Sequence, residues 1–492
     1  MAGTNRGEYD LAVMGGGSGG FGAALAAARQ GLEVLIIERS RRFGGTAVHG
    51  GVNCWEMGIG GTGIPFDVYQ RLKRGFPHSV GIYSTGRHFI WQDAWYWPNQ
   101  LDKVSFPGGE FLIDPDRTYR DTLRRHPGAG QPKTEEWCRD HWHGVPFLPD
   151  AMETVERAML AETGKVALRL NTVFTEILSN NGRIERVRLN DGSIVRARYW
   201  VDATDGVLAS AAGCESLHGI DPRSLFDEPN APEAPSDALN AVTLIYKIMP
   251  SQKETIEPLP TGIPADCWWA DSFPPMSCVQ YPDMGRNCNM LPTMEGREQV
   301  LLGCQAAYKE CVRRVKAHWH FVQTHWPEFR RYRMVWLAPM LGIRESRRVV
   351  CERMLNENDI RFGLSRQTDN DIIAIADHAL DRHGESGGCL ELDEPYGIPY
   401  RCLIPKGWRN LLVASRAAGF SSIAASSCRL SRTMMQLGQA AGTAVALARH
   451  LDASLPEISP AALRDQLLRQ HVQLDWPAPA ELTAYINAAD DF

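Results

Sequence analysis

The clearest hydrophobic pattern lies near the start of the chain, in YDLAVMGGGSGGFGAALAAARQGLEVLIIER at residues 9–39. Residues 11–14 are apolar, as in a parallel strand that is buried on both faces. A glycine-rich turn follows, and helix-forming residues at 23–29 continue to Gly31. Residues 34–37 are apolar again. This order predicts strand, tight turn, helix and strand.

Strand and helix patterns also recur later in the chain. Residues 151–162 have a helical pattern, and 166–198 have strand patterns separated by the turn pairs Asn181-Gly182 and Asp191-Gly192. We expect further strands at 199–202, 243–248 and 411–414, a long helix at 296–323, and another long helix near the C-terminus. Residues 60–145 are rich in glycine, proline and aromatic residues. They predict an irregular insertion in which tryptophans between Trp91 and Trp142 cover a pocket.

Composition narrows the class of protein. The 492 residues carry a formal net charge of −6, with 44% hydrophobic and 22% charged residues, which is typical of a soluble globular protein. The acidic balance argues against nucleic-acid binding. The polar opening MAGTNRGEYD does not resemble a signal peptide, and no apolar run is long enough to span a membrane. We therefore expect a cytoplasmic protein that binds neither nucleic acid nor membrane.

The cysteines and histidines predict no metal site. The 12 cysteines include no CxxC pair, which argues against a zinc ribbon or a thioredoxin motif. Cys138, His141 and His143 form the one suggestive cluster, but a structural zinc site normally has four ligands and this cluster offers three.

The glycine-rich turn has the G-x-G-x-x-G spacing of a dinucleotide-binding loop, with Gly15, Gly17 and Gly20. The first glycine permits the turn, the second lets the backbone approach a pyrophosphate, and the third allows close helix–strand packing. Gly16 and Ser18 belong to the same turn, and the helix that follows would present its N-terminus to the phosphates. Glu38 follows Gly15 by 23 positions, where a carboxylate accepts hydrogen bonds from a ribose. Arg39 comes next.

Three further segments predict a long cofactor in two parts, FAD rather than a nicotinamide nucleotide. The first has Gly44, Gly45 and Thr46, followed by Gly50-Gly51-Val52-Asn53. The second is a strand that ends in Ala203, Thr204, Asp205 and Gly206. A third cofactor-like segment, residues 410–450, combines a strand, a loop with glycine and a long helix. No second G-x-G-x-x-G occurs that would bind NAD(P)H.

The motifs GGT…GGVN, GIRESRR, IPYR…PKG…NLLVA and LGQAAGTA complete a recognisable set. With them the sequence resembles FAD-dependent oxidoreductases related to the fumarate reductase and succinate dehydrogenase flavoproteins, over residues 9–450. The resemblance implies that Gly45 and Thr46 pass near the pyrophosphate and flavin, and that Val173 touches adenine through its backbone. It also implies that Asp205 and Gly206 close the adenosine side, and that Arg416 and Arg429 lie along the flavin. Arg432 stands where related chains often have proline.

The resemblance implies an α/β fold, with a discontinuous Rossmann-like FAD-binding domain and an inserted α+β substrate or cap domain. We assign residues 1–60, 150–215 and 396–455 to the FAD-binding domain and 61–149 to the aromatic-rich cap. Residues 216–395 form the substrate domain, and 456–492 form a C-terminal extension.

Four residues are candidates for the chemistry of the site. Arg344 and Arg347, in GIRESRR, could anchor an anion or a carbonyl. His383 could accept a proton with Asp381 as its partner, and Asp377 supporting His378 is an alternative pair. His49 lies in the flavin-adjacent loop. His49 or Cys54 could attach FAD covalently, but no diagnostic spacing supports this, and we expect non-covalent FAD.

The function that follows is an FAD-dependent oxidoreductase that removes hydride from a small polar substrate, such as a sugar, a hydroxy compound or an amine. A reductase of activated C=C bonds and a non-redox protein that uses FAD structurally are the alternatives. The electron acceptor is unidentified, and a homo-oligomer is compatible with the sequence.

Overall fold

The structure, a computed structural model, describes residues 8–87, 105–127 and 131–490. The predicted tryptophan cover falls partly on residues 88–104, which lie outside the described residues. The strands, in chain order, are β1 (Glu8–Met14), β2 (Val34–Ile37), β3 (Cys54–Trp55), β4 (Tyr83–Thr85), β5 (Gly108–Ile113), β6 (Val145–Pro146), β7 (Val166–Arg169), β8 (Phe174–Asn180), β9 (Arg183–Leu189), β10 (Ile194–Asp202), β11 (Ser216–Leu217), β12 (Tyr246–Pro250), β13 (Met276–Gln280), β14 (Arg286–Met290), β15 (Tyr332–Leu337), β16 (Arg348–Val349), β17 (Ile372–Ala376), β18 (Leu380–Arg382), β19 (Gly388–Leu390), β20 (Tyr396–Pro399) and β21 (Leu411–Val413).

The helices, in the same order, are α1 (Ser18–Arg29), α2 (Thr46–His49), α3 (Ile64–Gly75), α4 (Glu135–His141), α5 (Pro149–Glu162), α6 (Val207–Ala212), α7 (Arg223–Phe226), α8 (Gly296–His325), α9 (Glu357–Phe362), α10 (Ser422–Ala425), α11 (Ser431–Leu451), α12 (Pro460–Arg469) and α13 (Ala480–Asp490). Among these residues, no helix is long and apolar enough to cross a membrane.

A parallel sheet of order β7–β2–β1–β10–β21 forms the centre of the first domain. Every residue of β2 and β21 is buried, as expected for strands that are covered on both faces. The early part of β10 also pairs with β9, and β9 pairs with β8, so that an antiparallel three-stranded meander extends from the sheet. The fold is therefore α/β with a Rossmann-like parallel sheet, as the sequence predicted.

A second, mixed sheet has the order β15–β12–β14–β13–β5–β4. Its core packs against α8, which begins and ends within two residues of the predicted helix but is broken at Gly303, where φ is 73°. Strands β4 and β5 come from residues 61–149, the segment expected to be irregular. That expectation was wrong for its described part, which also contains α3. Short strands with few alternating residues leave little periodicity for a sequence pattern to reveal.

Helix α1 lies between the parallel sheet and α11 with almost no side-chain layer. A Cβ on Gly19 would overlap the carbonyl oxygen of Ala414 beside β21, and a Cβ on Gly22 would overlap that of Met435 in α11. Gly438 faces the Gly19 carbonyl in the same way. The two helices thus touch backbone to backbone, which fixes both of their N-termini relative to the sheet.

Glu156 on α5 is an unusual member of this core. Its side chain is fully buried, and neither carboxylate oxygen has a hydrogen-bond partner among the described residues. Burial, followed by the nearby charge of Glu153, raises the pKa of Glu156 to about 8. Between its ordinary pKa of 4.5 and this value, the folded protein retains a proton that the unfolded chain has released. The free energy of unfolding therefore falls as pH rises through that window.

We predict that Glu156→Leu stabilises the protein, and more so at pH 8 than at pH 5. Leucine removes both the unpaired polar group and its proton linkage, which changes stability by at most ~1.4 kcal/mol per pH unit. Thermal unfolding in excess FAD across this pH range would measure the effect. Glu162→Leu, at a position on the same helix that is half exposed, should show no such pH window. An equal response of both variants would contradict the prediction.

Candidate active site

The glycine loop after β1 leaves an open surface at the start of α1. Gly15 has φ of +100°, and a Cβ on Gly20 would overlap its carbonyl oxygen, so helix and turn are in backbone contact. Gly17 is the N-cap of α1, and no side chain caps the helix there. A Cβ on Gly17 would meet its nearest protein atom, the Cα of Gly45, at 3.7 Å. The first-turn N–H groups of α1 thus remain available to a phosphate.

Gly45 and Thr46 stand opposite this loop. Gly45 has φ of +54° and caps α2, and a Cβ on it would lie 2.7 Å from the Cα of Gly17. The N–H of Gly44 donates to the carbonyl oxygen of Gly16 at 2.8 Å. Two glycine loops therefore face each other at the carboxyl end of β1, and Thr46 lines the cavity described below.

Glu38 follows β2 at the same edge of the sheet. Its buried carboxylate accepts hydrogen bonds from the N–H groups of Gly16 and Ser40, each at 2.7 Å. A carboxylate has about four acceptor positions, so two remain for ribose hydroxyls. The neighbouring Arg39 is exposed and approaches the sulfur of Met340 at 4.0 Å.

The adenosine-side candidates have different surroundings. In the turn after β10, the N–H of Ala203 donates to Met14, Thr204 binds the carboxylate of Asp202, and Gly206 caps α6. Asp205 forms an ion pair with Arg416 at 2.7 Å. The N–H of Val173 donates to Oδ1 of Asn190 at 3.2 Å, and its carbonyl oxygen accepts from the N–H of Asn190 at 2.9 Å. The backbone predicted to touch adenine therefore already has a protein partner.

A cavity of about 740 Å³ opens between these loops and the second sheet. The first domain contributes loop residues and the N-terminus of α11, at residues 430–433. The second domain contributes side chains of β13 and β14, such as Ser277 and Asn287. The volume of the cavity lies within the range of about 300–1,000 Å³ that is typical of small-molecule sites.

His383 and Asp381 form a hydrogen-bonded pair in this cavity. The Nε2 of His383 lies 2.9 Å from Oδ2 of Asp381, and the same oxygen accepts a hydrogen bond from Arg429 at 2.6 Å. Burial lowers the pKa of His383, which Asp381 opposes and the charge of Arg344 reinforces. Burial alone would raise the pKa of Asp381, but His383 and Arg429 hold it well below its usual value. A neutral imidazole beside a carboxylate results.

Arg344 lines the same cavity and binds neutral groups. Its Nη1 donates to the carbonyl oxygen of Ala241 at 2.7 Å and to Oγ1 of Thr243 at 2.8 Å. It forms no ion pair with any carboxylate in the described part of the chain. Burial, with the like charge of Arg429, lowers the pKa of Arg344 to about 9, so the guanidinium stays charged at neutral pH.

A second histidine–carboxylate pair faces the cavity, and the sequence did not predict it. His378 pairs with Glu56, with Nε2 3.2 Å from Oε2. Burial alone would raise the pKa of Glu56, but His378 and nearby arginines lower it to about 2. The alternative pairing of Asp377 with His378 was wrong, because Asp377 accepts from the N–H of Ile59 at 3.2 Å. The position of Glu56, two residues after Cys54 in the flavin-adjacent loop, was the available signal.

Two predicted catalytic candidates lie outside this cavity. The ring of His49 turns away and pairs with the carbonyl oxygen of Arg42 at 3.2 Å. The aliphatic part of Arg347 packs beside Gly206. Arg348, in the same segment, is buried in an ion pair with Glu345 and Asp221. Of the GIRESRR arginines, Arg344 alone lines the cavity.

The cysteine and two histidines in and after α4 have protein surroundings of their own. Cys138 is buried beside Trp142, while His141 and His143 bind backbone carbonyl oxygens. No group of three or more potential metal ligands occurs in the parts of the chain that the structure describes.

These residues fit FAD. The paired glycine loops and the uncapped N-terminus of α1 suit a pyrophosphate, and Glu38 retains acceptor positions for a ribose. The cavity lies beyond them, beside the uncapped N-terminus of α11, which has no acidic residue in its first turn. Such a helix end stabilises negative charge.

Comparison with known proteins agrees with this fit. The model of the FAD dependent oxidoreductase family matches residues 10–106 and 115–467. Mitochondrial glycerol-3-phosphate dehydrogenase of Rattus norvegicus is 28% identical over 111 residues, or 19% of this chain and 15% of that one. 3-Oxosteroid 1-dehydrogenase of Rhodococcus opacus is 43% identical over 51 residues, or 10% of each chain. Both matches therefore cover a small part of those relatives.

Among solved structures, a geranylgeranyl bacteriochlorophyll reductase-like protein from Thermoplasma acidophilum aligns with a TM-score of 0.46 and 13% identity, over 98% of this chain and 96% of that one. The extent of the family match decides the class: this chain belongs to the FAD-dependent oxidoreductase family. It is an oxidoreductase that uses FAD.

We predict that Gly17→Ala lowers the affinity for FAD by about tenfold or more while the fold is retained. The new methyl group has room against the protein but enters the space of the pyrophosphate, and overpacking costs about 1–3 kcal/mol. The measurement is FAD per chain after gel filtration, with circular dichroism to verify the fold. Gly75→Ala, where a Cβ meets no atom within 4 Å, is the control and should retain FAD. Full FAD content in Gly17→Ala would contradict the pyrophosphate assignment.

Proposed function

We propose that the enzyme is a dehydrogenase or oxidase that removes hydride from a small polar substrate carrying a hydroxyl or amino group. The observation that carries the proposal is the His383–Asp381 pair, which faces the cavity close to the charged Arg344. Bound FAD supplies the hydride acceptor. The protein must then supply a proton acceptor, a substrate anchor and exclusion of water.

His383 is the proton acceptor in this proposal. Its lowered pKa keeps the imidazole neutral at physiological pH, and a neutral imidazole can take the proton of a substrate hydroxyl or amine as hydride leaves the adjacent carbon. Asp381 orients the ring and stabilises the imidazolium that forms, while Arg429 holds Asp381 in place. The substrate loses one hydride and one proton.

Arg344 is the anchor. Its two hydrogen-bond partners are uncharged and it lines the cavity, so an anionic or carbonyl oxygen of the substrate would give it a charge-assisted hydrogen bond. Arg347 and His49, which lie outside the cavity, have no part in this scheme.

A reductase of activated C=C bonds is the second candidate, in keeping with the resemblance to fumarate reductase flavoproteins. The lowered pKa of Arg344, about 9, favours it, because a guanidinium that loses its proton more easily is a better proton donor. The non-redox alternative is not retained, since the family is one of oxidoreductases.

FAD binding is non-covalent in this proposal. Burial raises the pKa of the Cys54 thiol, which keeps it protonated and weakly nucleophilic, and His49 faces away from the cavity. Acid precipitation should therefore release FAD into the supernatant.

A substrate screen separates the two candidates. Anaerobic protein with oxidised FAD is mixed with sugars, hydroxy acids, amines and amino acids, and loss of visible flavin absorbance is followed. Photoreduced protein is mixed with carbonyl-activated alkenes, and the return of visible flavin absorbance is followed. Bleaching by a donor supports the first function. Reoxidation by alkenes, with no donor active, supports the second.

We predict that His383→Gln slows flavin reduction by about 10²–10⁴ while FAD stays bound, because the proton acceptor is lost. In the unmodified enzyme, the reduction rate should fall as pH drops through a value below the ordinary histidine pKa, and this step should vanish in the variant. Stopped-flow reduction across pH 5–9 would measure both. His325→Gln, at an exposed position near the end of α8, is the control. An unchanged rate in His383→Gln would remove His383 from the chemistry.

We predict that Arg344→Ala raises KM by about tenfold or more with a small change in kcat, since a charge-assisted hydrogen bond contributes about 1.5–3 kcal/mol. Steady-state kinetics with the best donor from the screen would show this. Arg469→Ala, at an exposed position on α12, should leave both constants unchanged. A loss of kcat with KM unaltered would instead identify Arg344 as a participant in proton transfer.

A further inference from the structure

The side-chain amide of Asn240 contacts the backbone that carries the His383–Asp381 pair. We propose that Asn240 is a positioning residue: anchored by a buried ion cluster, it sets the geometry of His383, Asp381 and Arg344 together. This inference rests on the proposed function, in which His383 accepts the substrate proton.

The amide of Asn240 spans one residue of strand β18. Its Nδ2 donates to the carbonyl oxygen of Asp381 at 3.0 Å, and its Oδ1 accepts from the N–H of His383 at 3.1 Å. The N–H of Ala241 donates to the carbonyl oxygen of His383 at 3.1 Å. Asp381 and His383 are two positions apart, so an extended backbone places both side chains on one face. The 2.9 Å contact between these side chains depends on that backbone geometry.

The segment Asn240-Ala241 also contacts Arg344. The carbonyl oxygen of Ala241 accepts a hydrogen bond from Nη1 of Arg344 at 2.7 Å. A shift of Asn240 and Ala241 would therefore move the proton acceptor and the anchor together. His383 and Arg344 each line the cavity, but both depend on hydrogen bonds with Asn240 and Ala241.

A buried ion cluster holds Asn240 itself. Its backbone N–H donates to Oε2 of Glu345 at 2.9 Å, and Glu345 binds Arg348 at 2.7 Å. Arg348, whose side chain is 1% exposed, also binds Asp221 at 2.8 Å. Asp221 in turn accepts from the N–H of Ser422 at 2.7 Å, at the start of α10 in the FAD-binding domain. Breaking such a cluster strongly destabilises a protein, so the anchor is rigid.

Asn410 shows what a purely structural amide of this kind looks like. It is as buried as Asn240, with 2% exposure. Its amide also binds a backbone N–H and a carbonyl oxygen, both of Ile184 and both at 2.9 Å. These contacts lie in the FAD-binding domain at the β9 end of the sheet, away from the cavity. Asn410→Leu is therefore a matched control for Asn240→Leu.

The chemistry of the amide gives a second, sharper variant. An amide offers one donor and one acceptor, whereas a carboxylate offers acceptors alone until it is protonated. Asn240→Asp should therefore lose the bond to the Asp381 carbonyl at neutral pH and regain it in acid. Asn240→Leu can regain it at no pH. A residue that merely filled space would not distinguish these two substitutions by pH.

The experiment is hydrogen–deuterium exchange with mass spectrometry on the FAD-loaded protein. We expect amides in residues 379–390 to exchange about tenfold faster or more in Asn240→Leu, the effect of losing hydrogen bonds of about 1.4 kcal/mol. In Asn240→Asp, protection of the same peptide should return as pH falls, after correction for intrinsic exchange. Asn410→Leu should affect residues 183–200 and leave 379–390 unchanged. Wild-type protection of 379–390 in both Asn240 variants would overturn the inference.

Kinetics then link the position to the chemistry. With the donor that bleaches the wild-type flavin fastest, Asn240→Leu should lower kcat and move the pH step that His383→Gln abolishes. Asn410→Leu should keep both, and an equal loss there would overturn the positioning role. If His383→Gln itself leaves reduction unchanged, the proposed function fails. If His383→Gln slows reduction and the Asn240 variants do not, this inference alone fails.

Discussion

The backbone contact between α1 and α11 is the constraint on which the site depends. Glycines on both helices, such as Gly22 and Gly438, remove the side-chain layer that would separate them. Close packing leaves these helices one relative position, because any added Cβ would overlap a carbonyl oxygen. That position brings the N-termini of α1 and α11 to the same end of the helix pair. The N-terminus of α1 follows the glycine loop, and the N-terminus of α11 lines the cavity. Two segments some 400 residues apart thereby come together beside the cavity.

Charge pairs across the domains complete the cavity. Arg429 precedes α11, which packs against α1 beside the parallel sheet, yet its partner is Asp381 in β18. Arg416 makes a similar bridge, since it pairs with Asp205 and also donates to the carbonyl oxygen of Ile343, next to Arg344. Arg429, through Asp381, and Arg416, through Ile343, thus support His383 and Arg344 from the wall of the cavity. The Arg429–Asp381 pair is largely removed from water and requires good geometry to offset desolvation, so it constrains how β18 lies against the start of α11.

The sequence predicts local elements well and side-chain encounters poorly, for a physical reason. Strand β2 matches its predicted range, and the start of α1 follows from the glycine spacing, because both depend on neighbours along the chain. The pairing of His378 with Glu56 joins residues more than 300 positions apart, and only tertiary packing creates it. His49 was expected in a loop, but it is the last residue of the short helix α2, and its ring direction depends on how that helix ends at Gly50. The GIRESRR motif made Arg344 and Arg347 equal candidates and could not show that Arg347 would pack beside Gly206.

Arg432 shows how a departure from a family pattern can be accommodated without losing the site. Where related chains often have proline, this chain begins α11 at Ser431 and places Arg432 one residue later. The guanidinium donates to Thr122, which lies in the segment 61–149, and to the carbonyl oxygen of Glu56, which directly follows β3. It therefore ties the cap segment to the helix while its charge stays uncompensated by those neutral partners. Because the helix N-terminus is already positive, Arg432 adds to a potential that favours negative charge in the cavity, whether it belongs to the cofactor or to the substrate.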